Sequence, residues 1–144
     1  MTLTNVKTIN YLNKFMNINK RCKILLPKRI IAKLRNLGYI VKINEEVTGF
    51  SGIKHKMPIL VINPDNNAKI AIHYEDGSGE VQVLKLFSFY ADTGIEQVLL
   101  SDRKSELNGV KVFSIKRASD IIRLVISMLG ETNKLKIRTL ILSF

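Results

Sequence analysis

The chain has 144 residues, 46% of them hydrophobic and 24% charged, which fits one domain with a core that needs no disulfide or metal and excludes wholesale disorder. A single cysteine, Cys22, excludes an intramolecular disulfide and a multi-cysteine zinc site and suits a reducing cytoplasm, and no run approaches the roughly 20 apolar residues of a membrane span. The 23 basic residues exceed the 12 acidic ones to give a formal +11, a field that attracts polyanions, nucleic acid first among them.

Leu3, Val6, Ile9, Leu12, Phe15 and Met16 recur at helical spacing and predict an amphipathic helix over residues 3–16. A polar, basic connection follows, with Lys20, Arg21 and Lys23. Pro27 suits a first helical position, Ile30, Ile31, Leu34 and Leu37 continue at helical spacing, and Gly38 suits a left-handed cap, so a second helix is expected over 27–37. Its other face carries Lys28, Arg29, Lys33 and Arg35. Up to residue 44 there are ten basic residues and no acidic one.

Residues 45–110 reverse the balance, with six basic and ten acidic residues. The alternation at 39–44 predicts a strand. Residues 57–63 and 69–75 form a predicted hairpin around the turn Pro64-Asp65-Asn66-Asn67. Val83, Leu84, Phe87, Tyr90 and Ala91 predict a helix over 80–93 that stops at Gly94. Strands are expected at 97–100 and 110–115, joined by a polar link at 102–109. Ser119 or Asp120 can cap a helix that buries Ile121, Ile122, Leu124, Val125, Met128 and Leu129. Residues 111–144 are basic again, seven against two, and the alternation from Lys134 to Phe144 predicts a final strand. The expected order is α-α-β-β-β-α-β-β-α-β in a single-domain α/β fold with a mixed sheet flanked by helices.

Gly38-Tyr39 leading into a strand, Ser51-Gly52-Ile53-Lys54-His55, Ile70-Ala71-Ile72 and a helix closing on Ala91-Asp92-Thr93-Gly94 together resemble archaeal restriction-endonuclease-like proteins of the Mrr type, in the PD-(D/E)xK nuclease superfamily. The matching order is helix, three-strand meander, helix, strand. The resemblance implies a restriction-endonuclease-like core over 26–130; charge and periodicity add a basic helical extension at 1–25 and a C-terminal strand at 131–144.

It also implies a chemistry. One acidic residue opens the second meander strand, and an acidic residue and a lysine stand two positions apart on the third, where alternation puts them on one face. The carboxylates hold Mg²⁺, which activates water. This sequence departs at each position: Pro58 stands at the aspartate, His73 at the second acid and Glu75 at the lysine. Only the upstream acid survives, as Glu45 or Glu46. Two alternatives keep an enzyme open: Asp65 in the role of the aspartate, or a new site of Glu45, His73 and Glu75 holding Mg or Mn.

The expectation is therefore a non-catalytic nucleic-acid-binding protein without a cofactor, binding DNA rather than RNA. Its phosphate contacts would come from Lys20, Arg21, Lys23, Lys28, Arg29, Lys33, Arg35, Lys54, His55, Lys56, Lys116 and Arg117, with Lys111 and Arg123 nearby. The alternatives are a metal-dependent nuclease with a shifted site, and an assembly module in which the apolar strand at 140–144 pairs with a second copy as a homodimer. No Walker loop or Ser-His-Asp pattern is present. Ser51-Gly52 reads as a tight turn, and Phe87, Phe89 and Tyr90 read as core.

Overall fold

The computed structural model describes residues 28–102, 106–115, 117 and 119–142. Helix α1 (Lys28–Asn36) buries Ile30 and Leu34, which lie one turn apart on a single face. Three strands follow as an antiparallel meander: β1 (Ile40–Thr48), β2 (Lys54–Asn63) and β3 (Ala68–Tyr74). Helix α2 (Glu80–Thr93) crosses back and delivers β4 (Glu96–Leu100) parallel to β3. The two-residue β5 (Glu106–Leu107) turns into β6 (Val110–Phe113), which pairs parallel to β4. Helices α3 (Ser119–Leu129) and α4 (Asn133–Leu142) end the described chain. The six-stranded sheet has the order β1-β2-β3-β4-β6-β5. The architecture is a single-domain α/β fold, and the stretch from α1 to β4 has the helix, meander, helix, strand order that the resemblance implies. The expected helix at 3–16 lies outside the described residues.

The sheet has two covered faces. One packs Val41, Ile59, Val61, Ile70, Ile72 and Val98 against Ile30 and Leu34 of α1 and Ile121, Leu124 and Val125 of α3. On the other, Val83 and Leu86 of α2 pack on Leu99 and Val110, beside a cluster of Met57, Leu60, Ala71 and Ile95. Each of the Val, Leu, Ile and Met side chains contributes about 1.5–3 kcal/mol when fully removed from water.

A single break in the β1–β2 ladder decides which residues reach the α2 face. The register runs without slip from Ile40↔Ile62 to Thr48↔Lys54, but Asn44 and Pro58, between Ile43↔Ile59 and Glu45↔Met57, form no pair. Pro58 has no N–H to donate, and Asn44 takes a left-handed φ of 53°. The alternation flips there. Ile59 and Val61 face α1 and α3, whereas Met57 joins Leu60 on the opposite side. The second strand also begins at Lys54, earlier than the apolar run at 57–63 predicts, so Pro58 sits inside it rather than at its opening.

The predicted final strand is a helix. The alternation of Lys134-Leu135-Lys136-Ile137-Arg138 suggests period two, but local capping overrides it. The Thr132 hydroxyl oxygen accepts from Leu135 N (3.1 Å), the Asp65 carboxylate accepts from Asn133 N (2.6 Å), and Lys136 N donates to Thr132 O (2.9 Å). Two of the amides that a helix start leaves open are thus satisfied, and only Leu135 among these residues packs on the core. No helix among the described residues is long and apolar enough to cross a membrane.

The meander turn is tied to the end of α3 through Asn63, which is fully buried. Its amide nitrogen donates to the carbonyls of Leu129 (2.9 Å) and Gly130 (3.3 Å), and its Oδ1 accepts from Asp65 N (3.0 Å). Asn63→Ala strands these buried groups and is expected to cost about 2–3 kcal/mol. Asn66→Ala, which removes a more exposed bond to the same Leu129 carbonyl, is expected to cost less. Urea unfolding midpoints at unchanged m-value measure both.

Candidate functional site

Of the three positions that the resemblance singles out, His73 and Glu75 are each hydrogen-bonded to a residue outside the set, and Pro58 has no side-chain donor or acceptor. His73 alternates with Ile72 and so faces α2, where it is buried at 5% exposure. Its Nε2 donates to Gln97 Oε1 (2.7 Å), and Gln97 Nε2 donates in turn to Ile95 O (2.7 Å). Burial lowers the His73 pKa to about 4, the Gln97 bond works in the opposite direction, and the Lys85 charge adds to the lowering. His73 is therefore neutral at pH 7. Glu75 lies exposed past the end of β3 and accepts from the Ser101 hydroxyl (2.9 Å). Pro58 is half-buried inside β2 and offers no ligand atom.

The other acids do not join this group. Glu45 pairs with Lys42 (3.8 Å), and Glu46 stands opposite Lys56. Both are on β1, two strands and so about 10 Å from β3. Asp65 caps α4 from the β2–β3 turn, at the end of the hairpin opposite His73. Neither the Asp65 arrangement nor the set Glu45, His73 and Glu75 is assembled. Among the described residues, no group of three His, Cys, Asp or Glu side chains is placed to hold a metal ion.

What the fold does assemble is a clamp between the β1–β2 turn and the end of α2. Asp92 Oδ2 takes His55 Nε2 (2.7 Å) and the Ser51 hydroxyl (2.7 Å), and its Oδ1 accepts from Ser51 N (2.9 Å). Phe50 N donates to the Asp92 carbonyl (2.8 Å), and the His55 ring lies 4.7 Å from that of Phe89. The His55 bond, followed by the two Ser51 bonds, pulls the Asp92 pKa down to about 2. Gly49 is required here, because a β-carbon would fall 1.9 Å from the Asp92 carboxylate. The helix ends at once on Gly94, left-handed at φ 75°, whose N–H donates to Tyr90 O. Ser51 and His55 both end on the Asp92 carboxylate. Ser51-Gly52 is the tight turn expected, and His55, expected at a phosphate, is committed to Asp92. Asp92 carries the clamp, and nothing in its local sequence signals a partner 41 residues earlier.

The expected cationic contacts divide differently. Lys28, Arg29 and Lys33 are exposed on α1, opposite Ile30 and Leu34. Arg35 donates to Val41 O (2.7 Å), pinning it to β1. Lys54, Lys56 and Lys111 are exposed. Asp120 accepts from Arg117 N (3.0 Å) and lies 3.7 Å from Arg123. Lys20, Arg21, Lys23 and Lys116 lie outside the described residues. The strand expectation at the C-terminus hid a further group: Lys134, Lys136 and Arg138 are exposed on α4. The start of α4 meets the end of α1, where the Thr132 hydroxyl donates to Leu37 O and Gly38 lies against Thr132 and Lys134. Neither helix contains an acidic residue.

No protein-family model matches the chain, and no curated protein matches it. Among solved structures, the crystal structure of a protein of unknown function, AF1548, is similar at a TM-score of 0.38 and 12% identity. The match covers 74% of this chain and 60% of that one. The chain thus spans 60% of the length of the protein it matches, and a likeness this slight adds nothing to the fold described above.

The buried imidazole gives the site a pH signature. The folded pKa of His73, about 4, lies below its ordinary 6.5, so between these values the unfolded chain binds the extra proton. The stabilisation is complete above about pH 6.5 and is lost as pH falls toward 4, amounting to about 3 kcal/mol. His73→Asn is expected to be less stable at neutral pH but flatter across this window. Urea midpoints of both proteins at a series of pH values measure the difference.

Proposed function

We propose that the chain binds nucleic acid in the cytoplasm, DNA in preference to RNA, and holds it without cutting. The observation that carries this reading is the pair of adjoining helices α1 and α4. They expose Lys28, Arg29, Lys33, Lys134, Lys136 and Arg138, with no acidic residue in either. Lys28 and Arg29 stand in the first turn of α1, where the helix dipole disfavours cations by about 0.3–1 kcal/mol. Their placement there serves something other than helix stability, and a phosphate backbone is the partner that such a face attracts. The ten basic residues within 1–44 add to the same field. Contacts of this kind position a backbone without reading bases, so weak sequence preference accompanies the binding.

Support for the absence of cleavage comes from the β3 site. A neutral His73 bonded to Gln97, and Pro58 in place of a carboxylate, supply no anionic pair for Mg²⁺ or Mn²⁺.

Fluorescence anisotropy with labelled duplex DNA across a salt series tests the proposal. The triple variant Lys28→Ala, Arg29→Ala, Lys33→Ala is expected to weaken binding, with the slope of log K against log salt shallower by about 0.9 per lost phosphate contact. The matching α4 variant, at Lys134, Lys136 and Arg138, is expected to behave alike. Unchanged affinity and slope in both variants overturn the interface. Metal-dependent cleavage that disappears in Glu75→Ala overturns the non-catalytic reading.

A further inference from the structure

The outward face of α2 carries an apolar strip over three turns, with Glu80 at its start. Val81, Leu84 and Phe87 are 65%, 60% and 38% exposed, and Ser88 and Ala91 complete the arc. The inward face is apolar as well, with Val83, Leu86 and Phe89 in the core. A helix apolar on both sides is ordinarily covered on both.

We infer that the occupant of this face is a second copy of the chain, with the two α2 helices antiparallel across a two-fold axis near Phe87 and Ser88. Charge is the first argument. The chain carries +11. Two copies meeting through α1 or α4 set like charges together, whereas the α2 arc carries one charge of each sign, Glu80 in its first turn and Lys85 at its edge. The same neutrality disfavours a polyanion or an acidic partner on this face.

Shape is the second argument. The large residues Val81 and Leu84 occupy the N-terminal half of the arc, and the small residues Ser88 and Ala91 the C-terminal half. An antiparallel pair places Leu84 across from Ala91 and Phe87 across from Ser88, so each copy's bulk meets the other's gap. A parallel pair sets bulk on bulk. This is the self-complementarity that a two-fold interface requires.

Area is the third argument. The turn held to the end of α2 by the Phe50 N–Asp92 O bond (2.8 Å) presents Phe50 and Ile53, 85% and 60% exposed. With the helix face they offer apolar side-chain area on the order of 500 Å² per copy, the larger part of the about 800 Å² that a standard interface buries on each partner. Since α2 lies on the sheet face opposite α1, such a dimer leaves both basic helices outward.

The test uses the intact, nucleic-acid-free chain with Cys22→Ser, in sedimentation equilibrium over a wide concentration range at about 0.5 M salt, where repulsion is screened. A monomer–dimer equilibrium is expected. Leu84→Glu is expected to weaken it by about tenfold or more, with an unchanged circular dichroism spectrum because Leu84 is exposed. Ser88→Cys with a short bis-maleimide is expected to give a covalent dimer, and Arg138→Cys none. A chain monomeric throughout, or a dimer that Leu84→Glu leaves intact, overturns the inference.

Discussion

Pro58 has no amide hydrogen, and the placement of the far half of the β1–β2 hairpin follows from that absence. With Asn44 opposite in a left-handed conformation, the ladder skips one pair and the pleat changes sides. Strict alternation would leave Met57 beside Ile59 and Val61. The break instead brings Met57, and His55 two residues before it, to the face covered by α2. Only from that side can His55 reach Asp92 and Ser51 dock on the same carboxylate. A residue that has no ligand chemistry thus does structural work at a place where the resemblance implies an aspartate.

The sheet divides the molecule by charge as well as by packing. On one side α1 and α4 present cations and contain no acidic residue, Asp65 capping the start of α4, and their apolar contacts are made by Ile30, Leu34 and Leu135 beneath. On the other, α2 presents a largely apolar arc, its Glu80 and Lys85 of opposite sign, over a second apolar cluster. Under the two proposals, added salt acts on the two faces in opposite directions: it would weaken contacts of the basic helices with phosphates and relieve the repulsion that opposes bringing two copies of a +11 chain together.

Most elements were legible because their signals are local. Val83, Leu84 and Phe87 with Gly94 mark α2 over Glu80–Thr93, and Pro64-Asp65-Asn66-Asn67 marks the turn between β2 and β3. The C-terminal element was not. Its alternation imitates a strand, and the group that caps the first amide of the helix, Asp65, is 68 residues away. The clamp was illegible for the same reason: Ser51, His55 and Asp92 are unremarkable in sequence and become a unit only after the pleat flips at Pro58. His73 and Glu75 were legible as a pair two residues apart. Their separate fates, one buried on Gln97 and one exposed on Ser101, depend on where β3 ends.

An imidazole at position 73, where the resemblance implies a carboxylate, has a consequence for stability. A carboxylate buried on the α2 face has to shed its charge or find a counter-ion, and a bound divalent cation is the usual remedy. Desolvation favours the uncharged form of any titratable group, and for histidine that form is already the dominant one at neutral pH. His73 therefore sits in the sheet interior at no electrostatic penalty, its Nε2 proton used by Gln97 and the Gln97 amide used by Ile95. The polar group inside the sheet is thus held by hydrogen bonds from the protein's own side chains and backbone.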